Sequence, residues 1–307
     1  MSLIALIAAL LLQKFRPFTD PDPLTTWLEK FAGWIEGFAN AGEERHGVLA
    51  LCGLVLAVFA PITLLYFALH AVAVPLGWLF ASLVLYLAIR FRAVLTEFTV
   101  MQRALRQENI DEARERLGRW LNRPARALDR SQLAKAAIEY VLVNCYRGLF
   151  ATVFWFVVLP GPAGALVYRA TVIAAQRWQD KADTDGYSFG WFAHRTLEVM
   201  DWVPQRLTAI SFAIVGDFED ALYCWRTQAQ SWGNPLEGIV LSAGAGALGI
   251  RLGEPLQGAD GPVYRAALGL GDEADAEHMQ STEGLIWRAV VLWAAFLLLL
   301  VLVQIVA

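Results

Sequence analysis

Two stretches leave this chain little freedom. Gly47 to Leu69 and Ala289 to Ala307 run without a single Asp, Glu, Lys or Arg. Each is as long as the roughly 17–25 apolar residues a helix needs to cross a bilayer. Hydrocarbon offers the backbone no hydrogen-bond partners, so a spanning segment must bond its own N–H and C=O groups, as a helix does. Composition agrees: 57% of the 307 residues are hydrophobic and 18% charged, with a mean hydropathy of +0.45. These values are shifted from the soluble average towards membrane proteins. Several of the twelve Trp residues stand beside charged segment ends, as interfacial anchors do. The net charge of −4 gives no ground for nucleic-acid binding. Cys52, Cys145 and Cys224 form no CxxC pair and are read as free thiols in apolar surroundings.

Between the two runs the sequence predicts further helices. MSLIALIAALLL has no basic segment before it and no small-residue cleavage site after it. It is therefore read as a short retained membrane helix or re-entrant anchor. Asp22 is a candidate N-cap, with Pro23 at the first helical position. Leu24, Trp27, Leu28, Phe31, Ile35 and Phe38 then repeat at three and four, which predicts an amphipathic helix over 23–39 within an interfacial segment 14–46. It lies on the membrane surface or packs against other helices. Leu76 to Ile89 is a second span, paired with the first as a hairpin through a turn near Pro75 and His70. From Arg90 to Lys135 eleven Lys or Arg face six Asp or Glu, and the positive-inside rule puts this stretch in the cytoplasm. Residues 90–147 form a helical insertion, broken at Asn122–Pro124. Its interspersed charges fit a solvated face or a surface that docks a cytoplasmic protein partner or anionic headgroups.

Leu149 to Val167 is read as a further span, broken at Pro160-Gly161-Pro162 into a bent or half helix. Leu207–Val215 and Ile239–Ile250 are too short or glycine-rich to span alone, and 254–284 reads as an acidic solvent loop. The prediction is an all-α, polytopic integral membrane bundle of about four or five membrane helices, some short or broken. It comprises one membrane domain over 1–307 with a cytoplasmic helical insertion.

Within it, the stretch Tyr187 to Ala209 stands out, because it sets Arg195, Glu198, Asp201 and Arg206 among Phe189, Trp191, Phe192 and Trp202. Arg195 and Glu198 share a helix face, and Pro204 interrupts the helix just before Arg206. Charges in such a place are buried and paired or sit at a membrane surface. Asp201 is the nearest partner for Arg206. Gly244-Ala-Gly246-Ala-Leu-Gly249 matches GxGxxG, but no strand–helix alternation surrounds it; close helix packing through small residues explains it. His46, His194 and His278 show no metal-ligand spacing, so no metal site is assigned.

Several pieces in order resemble the CobD/CbiB–AmpE superfamily: QRALRQENIDEARERLGRWLNR, KAAIE ending at Glu139, PGPAGALVYRA, YSFGWFAHR, VPQRLTA and AGALGIRLGEP. CobD/CbiB proteins are membrane enzymes that attach an aminopropanol phosphate to the corrin side chain in cobalamin assembly. AmpE proteins are inner-membrane proteins tied to β-lactamase induction and signalling. The resemblance implies a multi-pass protein of the bacterial inner (plasma) membrane, with the lipid bilayer as its surroundings and an anionic small molecule as ligand.

Glu139 and Asn144 match the synthase pattern. Val143 and Arg147 replace two of its acids, Val172, Ile173 and Ala175 replace a polar triplet, and Leu241 replaces another acid. MDWVPQRL and Arg147 resemble AmpE; GALGIRLGEP resembles the synthases. Loss of oxygen ligands argues against amide ligation with Mg²⁺ and a nucleotide. The expectation is therefore an AmpE-like regulator on a CobD/CbiB scaffold. It has no cofactor and binds its ligand through Arg147, Tyr168, Arg169, Arg195, Asp201 and Arg206. The alternative is adenosylcobinamide-phosphate synthase, joining adenosylcobyric acid to an aminopropanol or ethanolamine phosphate. That enzyme would use Mg²⁺ and nucleotide, with Glu139 and Asn144 facing metal or substrate, Arg169 and Arg206 facing phosphate, and Tyr168 as a further candidate.

Overall fold

The computed structural model describes residues 2–15, 22–39, 44–121, 124–178, 189–258 and 261–306; the expected break at Asn122 and Arg123 and the start of the 187–209 stretch lie outside them. Four helical stretches among these are long and apolar enough to cross a membrane: Arg45–Val72, Val74–Arg106, Arg130–Val158 and Ala276–Val303. The protein is an α-helical, multi-pass membrane protein. The chain divides into two compact units, Met1–Arg92 with Gly148–Pro204 and Leu300–Ala307, and Ala93–Arg147 with Gln205–Leu299.

In the first unit, α1 (Ser2–Phe15) packs on α4 (Val74–Ala88), and α3 (Glu44–Val72) packs on both α4 and α9 (Ala163–Trp178). Helix α9 is buried on nearly every side, against α2 (Pro23–Ala39), α3, α4 and α8 (Ala151–Val158). Its small residues permit that. A Cβ on Gly164 would strike the Trp155 carbonyl and lie 2.9 Å from Leu159 Cβ.

Helix α2 starts as its sequence dictates, with the Asp22 carboxylate accepting the Thr25 N–H at 2.6 Å. Thr25, Leu28, Ala32 and Glu36 face the protein, while Trp27, Trp34 and Phe38 are exposed. Phe31 completes a stacked ladder with them, at centroid spacings of 5.3, 6.0 and 6.3 Å. The expected apolar stripe is thus divided: Leu28 packs inward and the large aromatics face outward.

The expected span Leu149–Val167 is not one helix. The chain breaks after Val158, where Leu159 is extended and Gly161 takes φ 76°. The third candidate span runs from Arg130, through α7 (Arg130–Cys145), a π-helical turn (Tyr146–Phe150) and α8. Of 90–147, only the residues between Arg106 and Arg130 lie outside the candidate spans. They include α6 (Ile110–Leu121), which follows α5 (Phe91–Arg106).

Pro204 was expected to interrupt its helix, but α10 runs unbroken from Trp191 to Val215. A proline inside a helix leaves the carbonyl four residues earlier without its N–H. That carbonyl, on Met200, accepts instead from the Trp155 indole at 3.2 Å.

In the second unit, α12 (Pro235–Leu248) packs on α7 and α11 (Phe218–Gln228). The GxGxxG glycines serve this packing: Gly246 lies against the Asp220 backbone and Gly244 against Leu142. Gly249 ends the helix at φ 65°, its N–H donating to the Ala245 and Gly246 carbonyls. The 254–284 stretch, expected as a solvent loop, is instead largely built into strands and a helix. Strand β1 (Ile250–Gly253) pairs antiparallel with β4 (Ala267–Gly269) and parallel with β5 (Asp272–Glu273). Strands β2 (Leu256–Gly258) and β3 (Gly261–Val263) form a hairpin, and α13 (Ala276–Val306) begins well before 284. These strands are too short to show alternation in the sequence.

Candidate functional site

Helix α7 carries two buried charges on one face, Lys135 and Glu139, four residues apart. Glu139, 7% exposed, accepts from the Gly253 N–H at 2.8 Å and from Arg265 Nη1 and Nη2 at 2.5 and 3.2 Å. Arg265 is itself held by the Gly253 carbonyl at 3.2 Å and by the Trp232 ring, 5.2 Å away. Lys135 Nζ donates to Glu254 and, at 2.9 Å, to Glu273. Glu254 takes φ 66°, a left-handed conformation uncommon for a residue with a Cβ. These contacts stitch the strands to α7. Glu139, read from the sequence as a catalytic candidate, is engaged as a bidentate ion-pair partner.

Asn144 Nδ2 donates to the Tyr140 carbonyl at 2.8 Å, within its own helix. Arg147, in the π-helical turn, pairs with Glu237 at 3.0 Å. Arg206 donates to the Gln205 carboxamide at 3.2 Å once that amide is oriented to give its N–H to Leu236.

The first unit holds the other sequence-derived residues. Arg195 is exposed and bonded to Glu198 at 2.6 Å, a surface pair of little energetic weight. Asp201 and Tyr168 are fully buried, the phenol donating to Asp201 Oδ1 at 2.7 Å. The next residue on α9, Arg169, is 6% exposed and donates through Nη2 to the Thr25 hydroxyl at 2.9 Å. That hydroxyl donates in turn to Asp22 at 2.8 Å, and Asp22 pairs with Arg90 at 3.1 Å. Burial first, and then the like charge of Arg90, draw the Arg169 guanidinium down to about 10, with Asp22 acting the other way. It stays charged at neutral pH.

Of these residues, Arg169 and Tyr168 were marked in the sequence by resemblance and Asp22 as a helix cap. Thr25, Arg90, Lys135, Glu237 and Arg265 were not. Only Lys135 carried a local signal, its spacing from Glu139.

Among the described residues, no group of three or more His, Cys, Asp or Glu is placed to hold a metal ion. Glu139 is engaged by Arg265.

A family model described as CobD/Cbib protein matches residues 3–289. A cobalamin biosynthesis protein CobD of Stutzerimonas stutzeri is 36% identical over 262 residues, 85% of this chain and 84% of that one. One of Chromobacterium violaceum is 36% identical across 78% of this chain and 75% of its own. A probable cobalamin biosynthesis protein CobD of Methanothermobacter thermautotrophicus is 28% identical across 75% and 76%. No solved structure matches the chain. These relatives overturn the AmpE-like regulator, β-lactamase induction and signalling inferred from the substituted acids. Counting lost carboxylates cannot separate metal ligands from the partners of structural cations, and Arg147 shows the difficulty by pairing with Glu237. With most of its length matched by the family model and by relatives carrying its name, the chain belongs to the CobD/CbiB family.

Proposed function

We propose that the protein is a membrane-embedded, amide-forming ligase of cobalamin biosynthesis, the adenosylcobinamide-phosphate synthase. It joins adenosylcobyric acid to an aminopropanol or ethanolamine phosphate. The observation that carries this reading is the family match over residues 3–289 together with the names of relatives 36% identical to it. The geometry supports it at one point. An anionic substrate suits a cluster in which Arg90 pairs with Asp22 and the buried Arg169 donates to the Thr25 hydroxyl. In this reading Mg²⁺ and a nucleotide, when bound, would supply activation of the carboxylate. No step is assigned to a protein-held metal. The protein lies in the bacterial inner membrane, with the stretch from Arg106 to Arg130, which carries seven Arg and five Asp or Glu, on the cytoplasmic side.

The test is complementation. A strain lacking the synthase, supplied with cobyric acid and expressing this chain, should regain cobalamin-dependent growth. No growth, with the protein confirmed in the membrane fraction, would overturn the assignment.

A further inference from the structure

Two arginines of helix α9 meet helix α2, and they are treated differently. Arg177 finds a carboxylate, Glu36, at 3.2 Å. Arg169, eight residues earlier and far more deeply buried, meets the neutral hydroxyl of Thr25 at 2.9 Å. Its Nε is buried and has no acceptor among the described residues. Asp22, the acid that most favours the Arg169 charge, already receives the Thr25 N–H at 2.6 Å and hydroxyl at 2.8 Å and is paired with Arg90 at 3.1 Å. Glu29 also favours the Arg169 charge, but it is the weakest of the influences and is exposed. A buried guanidinium left in this state is costly unless something anionic completes it.

We propose that Arg169 and Arg90 bind the phosphate group of a ligand, with Thr25 and Asp22 holding the two guanidiniums in place. Arg169 presents a planar fork with Nε available, the geometry that bonds an oxyanion through two parallel N–H groups. Arg90 retains 25% side-chain exposure, so the pair is not sealed on every side. Two sources supply such a group, a soluble phosphate monoester and a phospholipid headgroup. Identifying the monoester as the amino-alcohol phosphate rests on the function proposed above; the phosphate site itself does not.

The test uses the full chain, delipidated in detergent and titrated calorimetrically with inorganic phosphate and with O-phosphoethanolamine. Native mass spectrometry follows phospholipid retained before delipidation. The wild type should bind a phosphate probe saturably, and Arg169→Met should weaken binding at least about tenfold, the loss of one charge-assisted contact. Arg169→Lys, which keeps the charge but not the fork, should fall between them and serves if the methionine variant does not fold. Arg195→Met should bind as the wild type does. If free phosphate fails to bind but phospholipid is retained and lost in the Arg169 variants, the source is the headgroup. The site is overturned if neither is bound, or if the Arg169 variants bind as the wild type does. Failed complementation with Arg169-dependent phosphate binding intact would remove the reaction and leave the site standing.

Discussion

Helices α7 and α9 bury charge in opposite ways. On α7, Lys135 meets two glutamates and Glu139 meets both prongs of Arg265. On α9, Arg169 meets a hydroxyl, beside an aspartate paired with another arginine. Paired burial is an architectural device: it fastens the strands to the helix, and breaking it leaves a charge in the interior. A buried guanidinium that meets a hydroxyl in place of a carboxylate gains little for the fold and becomes favourable when an anion arrives. Burial alone would not separate these helices, because Glu139 and Arg169 are almost equally inaccessible. Their partners do.

The largest effect should come from breaking the α7 arrangement. Glu139→Ala leaves Arg265 without its carboxylate and the Gly253 N–H without its acceptor, at a cost of about 3–5 kcal/mol. The double variant Glu139→Leu with Arg265→Met should recover most of that loss, since apolar replacement of a buried pair is often neutral. Denaturant unfolding in detergent measures both. A cost under about 1 kcal/mol for the single variant would remove α7 from the structural side of the comparison.

Tyr168→Phe tests a smaller contact beside Arg169. The variant keeps the ring and deletes the bond to Asp201, so a loss of about 1–2 kcal/mol is expected. No loss in thermal unfolding would show that this bond lends α9 no rigidity.

How legible were these features in the sequence? The long charge-free runs announced themselves, because nothing else satisfies a backbone in lipid. Helix α2 was legible from Asp22 and Pro23, and the α8–α9 break from Pro160-Gly161-Pro162, since caps and prolines act locally. The continuity of α10 was not, because the Met200 carbonyl freed by Pro204 is satisfied by Trp155, far away in the chain. The same distance hid the site's character. Glu139 could be named, but its partner Arg265, 126 positions on, could not. Arg169 could be named, but Thr25, 144 positions earlier, could not be foreseen as its partner. The assignment to a regulator failed for a related reason, reading each substituted acid alone without the side chain it would face.

The exposed edge of the α7 network gives a pH effect of smaller size. The hydrogen bond from Lys135 holds Glu273 below its ordinary value of 4.5. A depressed folded value means its contribution is complete above 4.5 and is lost as pH falls through the lower, folded value. Unfolding measured from pH 7 to pH 3 should show this component in the wild type and lack it in Glu273→Gln. An identical pH profile in the two proteins would show that Glu273 adds nothing to the Lys135 contact.

The smallest expected effect separates the helices most sharply. Arg169→Met, measured without phosphate, should change stability by only about 0–1 kcal/mol, and in the favourable direction. The substitution removes a buried cation that has no salt-bridge carboxylate among the described residues. Thr25 keeps its bond to Asp22, and Asp22 keeps Arg90. A flexible apolar chain then fills much of the vacated volume. Adding phosphate at a hundred times its Kd should stabilise the wild type by about 2.7 kcal/mol, because only the folded state binds it. The variant should gain far less. Should Arg169→Met instead lose several kcal/mol in phosphate-free buffer, Arg169 would be as structural as Glu139. Its hydroxyl contact would then be sufficient company for a buried guanidinium, and the distinction between the two helices would fall.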